Sequence, residues 1–172
     1  MRGSVRMLVA AASAVALLVL PVAAGAAPAS SIFQVAGTEI AFTSTEGTFV
    51  GTARGNAGDT GTWKAVVDHT PLGPLPATIT GGSFKMATVS LSLTTDSVQA
   101  TFTGGTIGVV NPGLGCTKQT FAVTGNLGNL ATSTSSGGSG LFSVLLTHYR
   151  VSLFGQCLTY AASVTGTATF NY

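Results

Sequence analysis

Residues 159–172 alternate without a break. Tyr160, Ala162, Val164, Gly166, Ala168, Phe170 and Tyr172 fall on one parity, and Thr159, Ala161, Ser163, Thr165, Thr167, Thr169 and Asn171 on the other. A period of two is that of a β-strand with one face in a core and one in water. Val89, Leu91 and Leu93 alternate in the same way with Thr88, Ser90, Ser92 and Thr94, and Val98, Ala100 and Phe102 with Gln99, Thr101 and Thr103. No segment beyond residue 30 shows a 3.6-residue apolar period, and Thr, Val, Ser and Phe, which suit a pleated, half-buried surface, dominate. The pattern predicts antiparallel strands near 32–43, 47–54, 61–69, 77–86, 88–95, 97–109, 117–127, 140–154 and 157–172.

Gly, Pro, Asn and Ser punctuate these segments at 55–61, 71–76, 81–82, 104–105, 111–115 and 133–140. About eight or nine strands in one domain over residues 30–172 imply an all-β fold, a small closed antiparallel barrel or, alternatively, a two-sheet sandwich. The run of sequential hairpin turns favours the barrel.

Residues 1–29 break the pattern. Arg2 and Arg6 precede an apolar block over 7–20, followed by Pro21 and the small-residue sites Ala24-Gly25-Ala26 and Ala27-Pro28-Ala29. This order is that of a secretory signal peptide, cleaved after Ala26 or Ala29, and predicts a secreted, extracellular protein with no stable membrane insertion after cleavage. Without this segment the formal charge of +2 disappears. Arg54, Lys64, Lys85, Lys118 and Arg150 balance Glu39, Glu46, Asp59, Asp68 and Asp96. Nucleic acid and anionic lipid are bound through clustered Lys and Arg, so neither is an expected partner.

Cys116 and Cys157 are the two cysteines of the chain. In an exported protein they are expected to form a disulfide, with Cα atoms about 4.4–6.8 Å apart and a contribution of roughly 4 kcal/mol in the chain-entropy model. No Cys-x-x-Cys spacing points to redox or zinc chemistry, and no cofactor or metal is expected.

The segments Gly61-Thr-Trp-Lys-Ala-Val-Val-Asp-His69 and Gly140-Leu-Phe-Ser-Val-Leu-Leu-Thr-His148 share a plan: a Gly, an aromatic two positions on, an apolar run and a terminal His. Downstream, Ala77-Thr-Ile-Thr-Gly81 is matched by Ala162-Ser-Val-Thr-Gly166, as in a degenerate duplication of one hairpin unit. Strand parity puts Trp63, Ala65, Val67 and His69 on one face, and Phe142, Val144, Leu146, His148 and Arg150 on one face of the second copy. Inward-facing aromatics would bring both histidines to one barrel mouth, where small-molecule sites form over an apolar interior. Trp63, His69, His148 and Arg150 are therefore the candidate ligand-binding residues, for an apolar or aromatic small molecule, with rings of a type that changes charge near pH 6–7.

Signals for catalysis are sparse. No Gly-x-Ser-x-Gly elbow positions a nucleophile, and Asp68 and His69 are neighbours that a strand sends to opposite faces. Glu39 and Glu46 offer two carboxylates for glycoside hydrolysis, with nothing to fix their separation. Rows of hydroxyls at Thr78, Thr80, Ser90, Ser92, Thr94, Thr101, Thr103, Thr165, Thr167 and Thr169 suit cross-strand ladders on a solvated exterior.

At the glycine-punctuated hairpins (140–148, Val164-Thr-Gly-Thr-Ala-Thr-Phe170 and Ile79-Thr-Gly-Gly-Ser-Phe84) the chain resembles small exported bacterial β-barrels of unknown function. More distantly it is similar to the allene oxide cyclase and dirigent barrel group. That resemblance implies a cavity that holds an apolar intermediate; none of the group's catalytic residues has a counterpart here, and a shared fold does not carry function. Three functions are thus in view. They are a secreted non-catalytic binding barrel, an envelope-associated structural or adhesive protein using the Thr-rich exterior, and a cavity enzyme of cyclase or hydrolase type.

Overall fold

Alternating apolar and polar positions place one face of every strand inward, and a sheet with one apolar face buries it by closing on itself. A computed structural model describes residues 30–73, 75–90 and 95–172. Its strands are β1 (Ser30–Phe42), β2 (Glu46–Gly55), β3 (Thr60–His69), β4 (Ala77–Val89), β5 (Thr95–Asn111), β6 (Gln119–Thr132), β7 (Ser139–Leu153) and β8 (Gln156–Asn171). They form a closed antiparallel barrel in sequence order. β8 closes it against β1, from Ser30 opposite Asn171 to Gly37 opposite Val164. The expected signal peptide lies outside the described residues.

Among the described residues eight strands stand where nine segments were predicted; β4 runs on to Val89 and β5 begins at Thr95. Of the strand expected over 88–95, Thr88 and Val89 belong to β4 and Thr95 to β5. Parity from Phe84 and Met86 carries Thr88 inward and leaves Val89 exposed, the reverse of the sequence expectation. Leu91, Ser92, Leu93 and Thr94 lie outside the described residues.

Aromatic rings fill the interior. Phe84 stacks on Trp63 with centroids 6.4 Å apart and tilts against Phe142 and Phe170 at 5.7 and 5.6 Å. Phe102 meets Phe142 edge-on at 5.9 Å, and Phe33 lies 6.0 Å from Phe170. Eight strands enclose just enough room for such side chains. Glycine makes the space: Gly51 sits opposite both Gly37 and Trp63, and a Cβ at Gly37 would fall 2.9 Å from the indole and 2.1 Å from the Val50 carbonyl. The Trp63 ring therefore covers bare backbone, and its Nε1–H donates to the Thr52 carbonyl at 2.9 Å.

The outer wall is hydroxyl-rich. Thr78, Thr80, Thr101, Thr103 and Thr165 are exposed, and Thr167 and Thr169 are half-buried. Two of them donate to the neighbouring strand, Thr101 to the Gly128 carbonyl and Thr103 to that of Asn126. Because odd strands all run one way, the β1–β2, β3–β4, β5–β6 and β7–β8 connections share one end of the barrel. There β7 pairs with β6 only as far as His148 opposite Gln119, and β7 and β8 continue beyond it as a two-stranded ribbon.

Cys116, in the β5–β6 connection, is bonded to Cys157 at the start of β8, with Cα atoms 5.3 Å apart. Tyr160, expected inside with Ala162 and Val164, is 68% exposed. It is the extra residue of a bulge, since Tyr149 pairs with Ala161 and Arg150 with Thr159, and it sits where the ribbon has left the barrel wall.

Candidate functional site

The two histidines line one pocket. β3 delivers His69 and β7 delivers His148, each on the inward parity of its strand and at the same end of the barrel. Phe49, Val67, Ile107, Phe121, Val123 and Leu146 supply apolar lining, and Phe42, Thr43 and Leu72 come from the adjoining end of β1 and the connections at this mouth. Glu39 completes the lining.

A bulge explains how Glu39 and Phe42 both reach this pocket. Glu39 pairs with Phe49 and Ala41 with Thr48, so Ile40 is an extra residue. Before the bulge, Phe33, Val35, Gly37 and Glu39 share the inward parity; after it the parity flips and Phe42 turns to the mouth.

Glu39 Oε2 accepts a hydrogen bond of 2.7 Å from His148 Nε2–H, with the side chains only 6% and 12% exposed. Phe121 packs edge-on against the His148 ring at 5.5 Å, and Phe42 lies 6.1 Å from it. His69 is 7% exposed. Its Nδ1 lies 2.8 Å from the Thr70 carbonyl, and because a carbonyl can only accept, Nδ1 carries the proton.

These bonds fix which ring nitrogens stay open. His69 is left with Nε2, and His148 with Nδ1. Among the described residues no buried side-chain nitrogen or oxygen lacks a partner, so both open nitrogens remain accessible. In the neutral rings both are acceptors. The pocket thus presents two hydrogen-bond acceptors and one buried carboxylate above an apolar floor.

Its volume is about 40 Å³, room for a few waters and well under the roughly 300 Å³ of a pocket that encloses a drug-sized molecule. Wider hollows of about 780 and 670 Å³ lie on the outer wall, open to solvent, the first lined mostly by Thr, Gly, Ala and Val and the second also by Lys64, Lys85 and Gln99. A third, of about 540 Å³, occupies the opposite mouth. There Asp96 accepts from Ser133 Oγ at 2.7 Å and from the backbone N–H of Ser97 and Ser133, and these bonds hold its carboxyl below the usual range. Burial, with some help from the charge of Asp96, pushes the Tyr172 hydroxyl up.

The other two sequence candidates stand apart from the pocket. Trp63 belongs to the aromatic core, where it is hydrogen-bonded and almost fully buried. Arg150 lies on the ribbon beyond the barrel mouth. It donates to the carbonyls of Thr117, Pro112 and Gly115 and so braces the connection that carries Cys116. Parity carried Arg150 to the same face as His148, but the strand had already lost its β6 partner.

Glu39 is the residue that sequence reasoning undervalued, having weighed it only beside Glu46. Glu46 is exposed at the start of β2, on the parity opposite the inward Gly47 and Phe49. The usable signal was a charged residue on the inward parity of β1. Among the described residues no group of three or more His, Cys, Asp or Glu side chains is placed to hold a metal ion.

Compared with known proteins, the chain matches no family model, and no match to it is found among curated proteins or solved structures.

Proposed function

We propose that this chain is an exported binding barrel that takes the end of an apolar or aromatic small molecule into the pocket between His69 and the Glu39–His148 pair. The observation that carries this reading is the pair of open imidazole nitrogens above an apolar floor. Both are acceptors, so the ligand group that enters must donate, as a phenol or alcohol does. The ordered space holds only such a terminal group. The body of the ligand would lie at the mouth, against Phe42 and Leu72, which are exposed and line its rim. Export rests on the sequence of residues 1–29.

Native mass spectrometry of protein recovered from culture medium tests this directly. A co-purifying molecule with a donor group and an apolar body, lost from a His69→Ala/His148→Ala variant of native stability, is the expected result. For a defined probe, 4-propylphenol titrated by calorimetry should bind wild type and not the double variant. Equal behaviour of the two proteins would reduce both histidines to structural plugs.

The Glu39–His148 bond favours a second reading. A carboxylate that orients an imidazole is the arrangement of a general base, with His148 Nδ1 as the atom that takes the proton. Among the described residues Thr43 is the sole hydroxyl residue in the lining, at its edge, so proton transfer of the cyclase or isomerase kind fits better than hydrolysis through a serine. Deuterium from solvent should then appear in the recovered ligand. A ligand returned unlabelled restricts the site to binding.

A further inference from the structure

Among the described residues the two ends of the barrel expose large apolar side chains unequally. At the pocket end every connection, or the strand end beside it, exposes large apolar side chains: Phe42 beside β1–β2, Leu72 on β3–β4, Val110 and Leu114 at β5–β6, and Leu153 and Phe154 on the ribbon. Phe154, at the ribbon tip with a positive φ of 52°, is 104% exposed. At the opposite end the connections over 56–59 and 133–139 contain only Asn, Ala, Gly, Asp, Ser and Thr, with Ile32 and Val89 exposed at strand ends there and residues 91–94 of the third connection outside the described residues. At the pocket end six large apolar side chains stand out on four projections, and burying such side chains away from water is favourable.

Charge and shape select a partner for them. The ribbon over 151–160 has no Asp, Glu, Lys or Arg, and the nearest cation, Arg150, is engaged by three backbone carbonyls. Among the described residues the other charged side chains around this end, outside the pocket, are Lys118 on the β5–β6 connection and the cross-strand neighbours Glu46 and Asp68, so no cluster of Lys and Arg is presented to anionic lipid. Separate tips interrupted by exposed Thr43, Asn111 and Pro112 do not make the flat, continuous patch of about 800 Å² that a second copy of the chain would need. A fluid hydrocarbon layer conforms to separate tips. Tyr149 and Tyr160 stand at the base of the ribbon, roughly 13 Å behind Leu153, where their hydroxyls would meet a headgroup layer. The Thr-rich outer wall argues for contact at this end alone, since a spanning barrel turns apolar residues outward all round.

We propose that the pocket end of the barrel docks on a neutral, zwitterionic membrane, with Leu153 and Phe154 inserted into it and the pocket mouth facing the lipid. Docking does not depend on what the pocket binds, and it is measured with no ligand present.

The test uses the 30–172 barrel, whose strands close on one another without the preceding residues, and phosphatidylcholine vesicles. In a Phe154→Trp variant the added indole lies outside the core that holds Trp63. Its emission should shift to the blue with vesicles and be quenched by brominated acyl chains. Co-sedimentation should persist in about 0.5 M NaCl. It should fall at least tenfold in Leu153→Ser/Phe154→Ser and stay unchanged in Leu141→Ser/Leu145→Ser, on the outer wall of β7. Any of four results would overturn the proposal: no spectral shift, binding abolished by salt, equal binding by the tip variant, or a dimer in vesicle-free solution that the tip substitutions dissociate.

Discussion

His148 on β7 donates from Nε2 to Glu39 on β1 at 2.7 Å, and the two strands are not neighbours, since β8 lies between them. The contact spans 109 residues of chain and is nearly closed to solvent. It holds one ring of the pocket in a single orientation and leaves that ring's second nitrogen open.

Removing the acceptor should therefore cost more than removing the charge. Glu39→Leu leaves His148 Nε2–H without a partner and is expected to destabilise the fold by about 1–3 kcal/mol in urea unfolding. Glu39→Gln keeps an acceptor oxygen and should lose less than half as much. Equal losses would mean that the bond to His148 contributes nothing.

Neighbouring positions on β8 should respond in opposite ways to the same substitution. Val164 is fully buried and Thr165 exposed. Val164→Asp puts an unpaired charge in an apolar interior and should abolish recovery of folded protein. Thr165→Asp should stay within about 1 kcal/mol of wild type by thermal unfolding. Similar outcomes for both would put the inward face of β8 in error.

Most of this architecture is legible in the alternation alone. Parity puts Trp63, Val67 and His69, and likewise Phe142, Leu146 and His148, on the inward side, because neither β3 nor β7 is bulged before its histidine. What parity missed lies at irregularities. The Ile40 bulge decides that Glu39 and Phe42 both serve the pocket, and the Tyr160 bulge removes that ring from the core. A bulge is one extra residue whose place depends on the partner strand, and no local residue preference marks it at either position. Arg150 shows a second limit: alternation says which face a side chain takes and not whether the barrel wall is still present.

Stability should fall in acid partly through Asp96. Hydrogen bonds, that of Ser133 first, hold its carboxyl below 3.8 in the folded chain. A depressed folded value contributes stability above the unfolded value that is lost as pH drops through the folded one. Asp96→Asn should thus be less stable than wild type at pH 7, by under about 1 kcal/mol at this solvent-exposed position, and the gap should close as the pH falls through the depressed folded value. A gap that persists at low pH would assign the effect to shape instead of charge.

The pair of open acceptors rests on two tautomers, and these are directly visible in long-range nitrogen–proton correlation spectra of the uniformly labelled barrel at a pH where the rings are neutral. His69 should carry its proton on Nδ1, bonded to the Thr70 carbonyl, and His148 on Nε2, bonded to Glu39. In Glu39→Leu the His148 pattern should shift toward a mixture while His69 stays as it was. A His69 proton on Nε2, or a His148 ring that exchanges freely between tautomers in the wild-type chain, would mean that the pocket offers no fixed acceptor pair and that the binding reading has lost its basis.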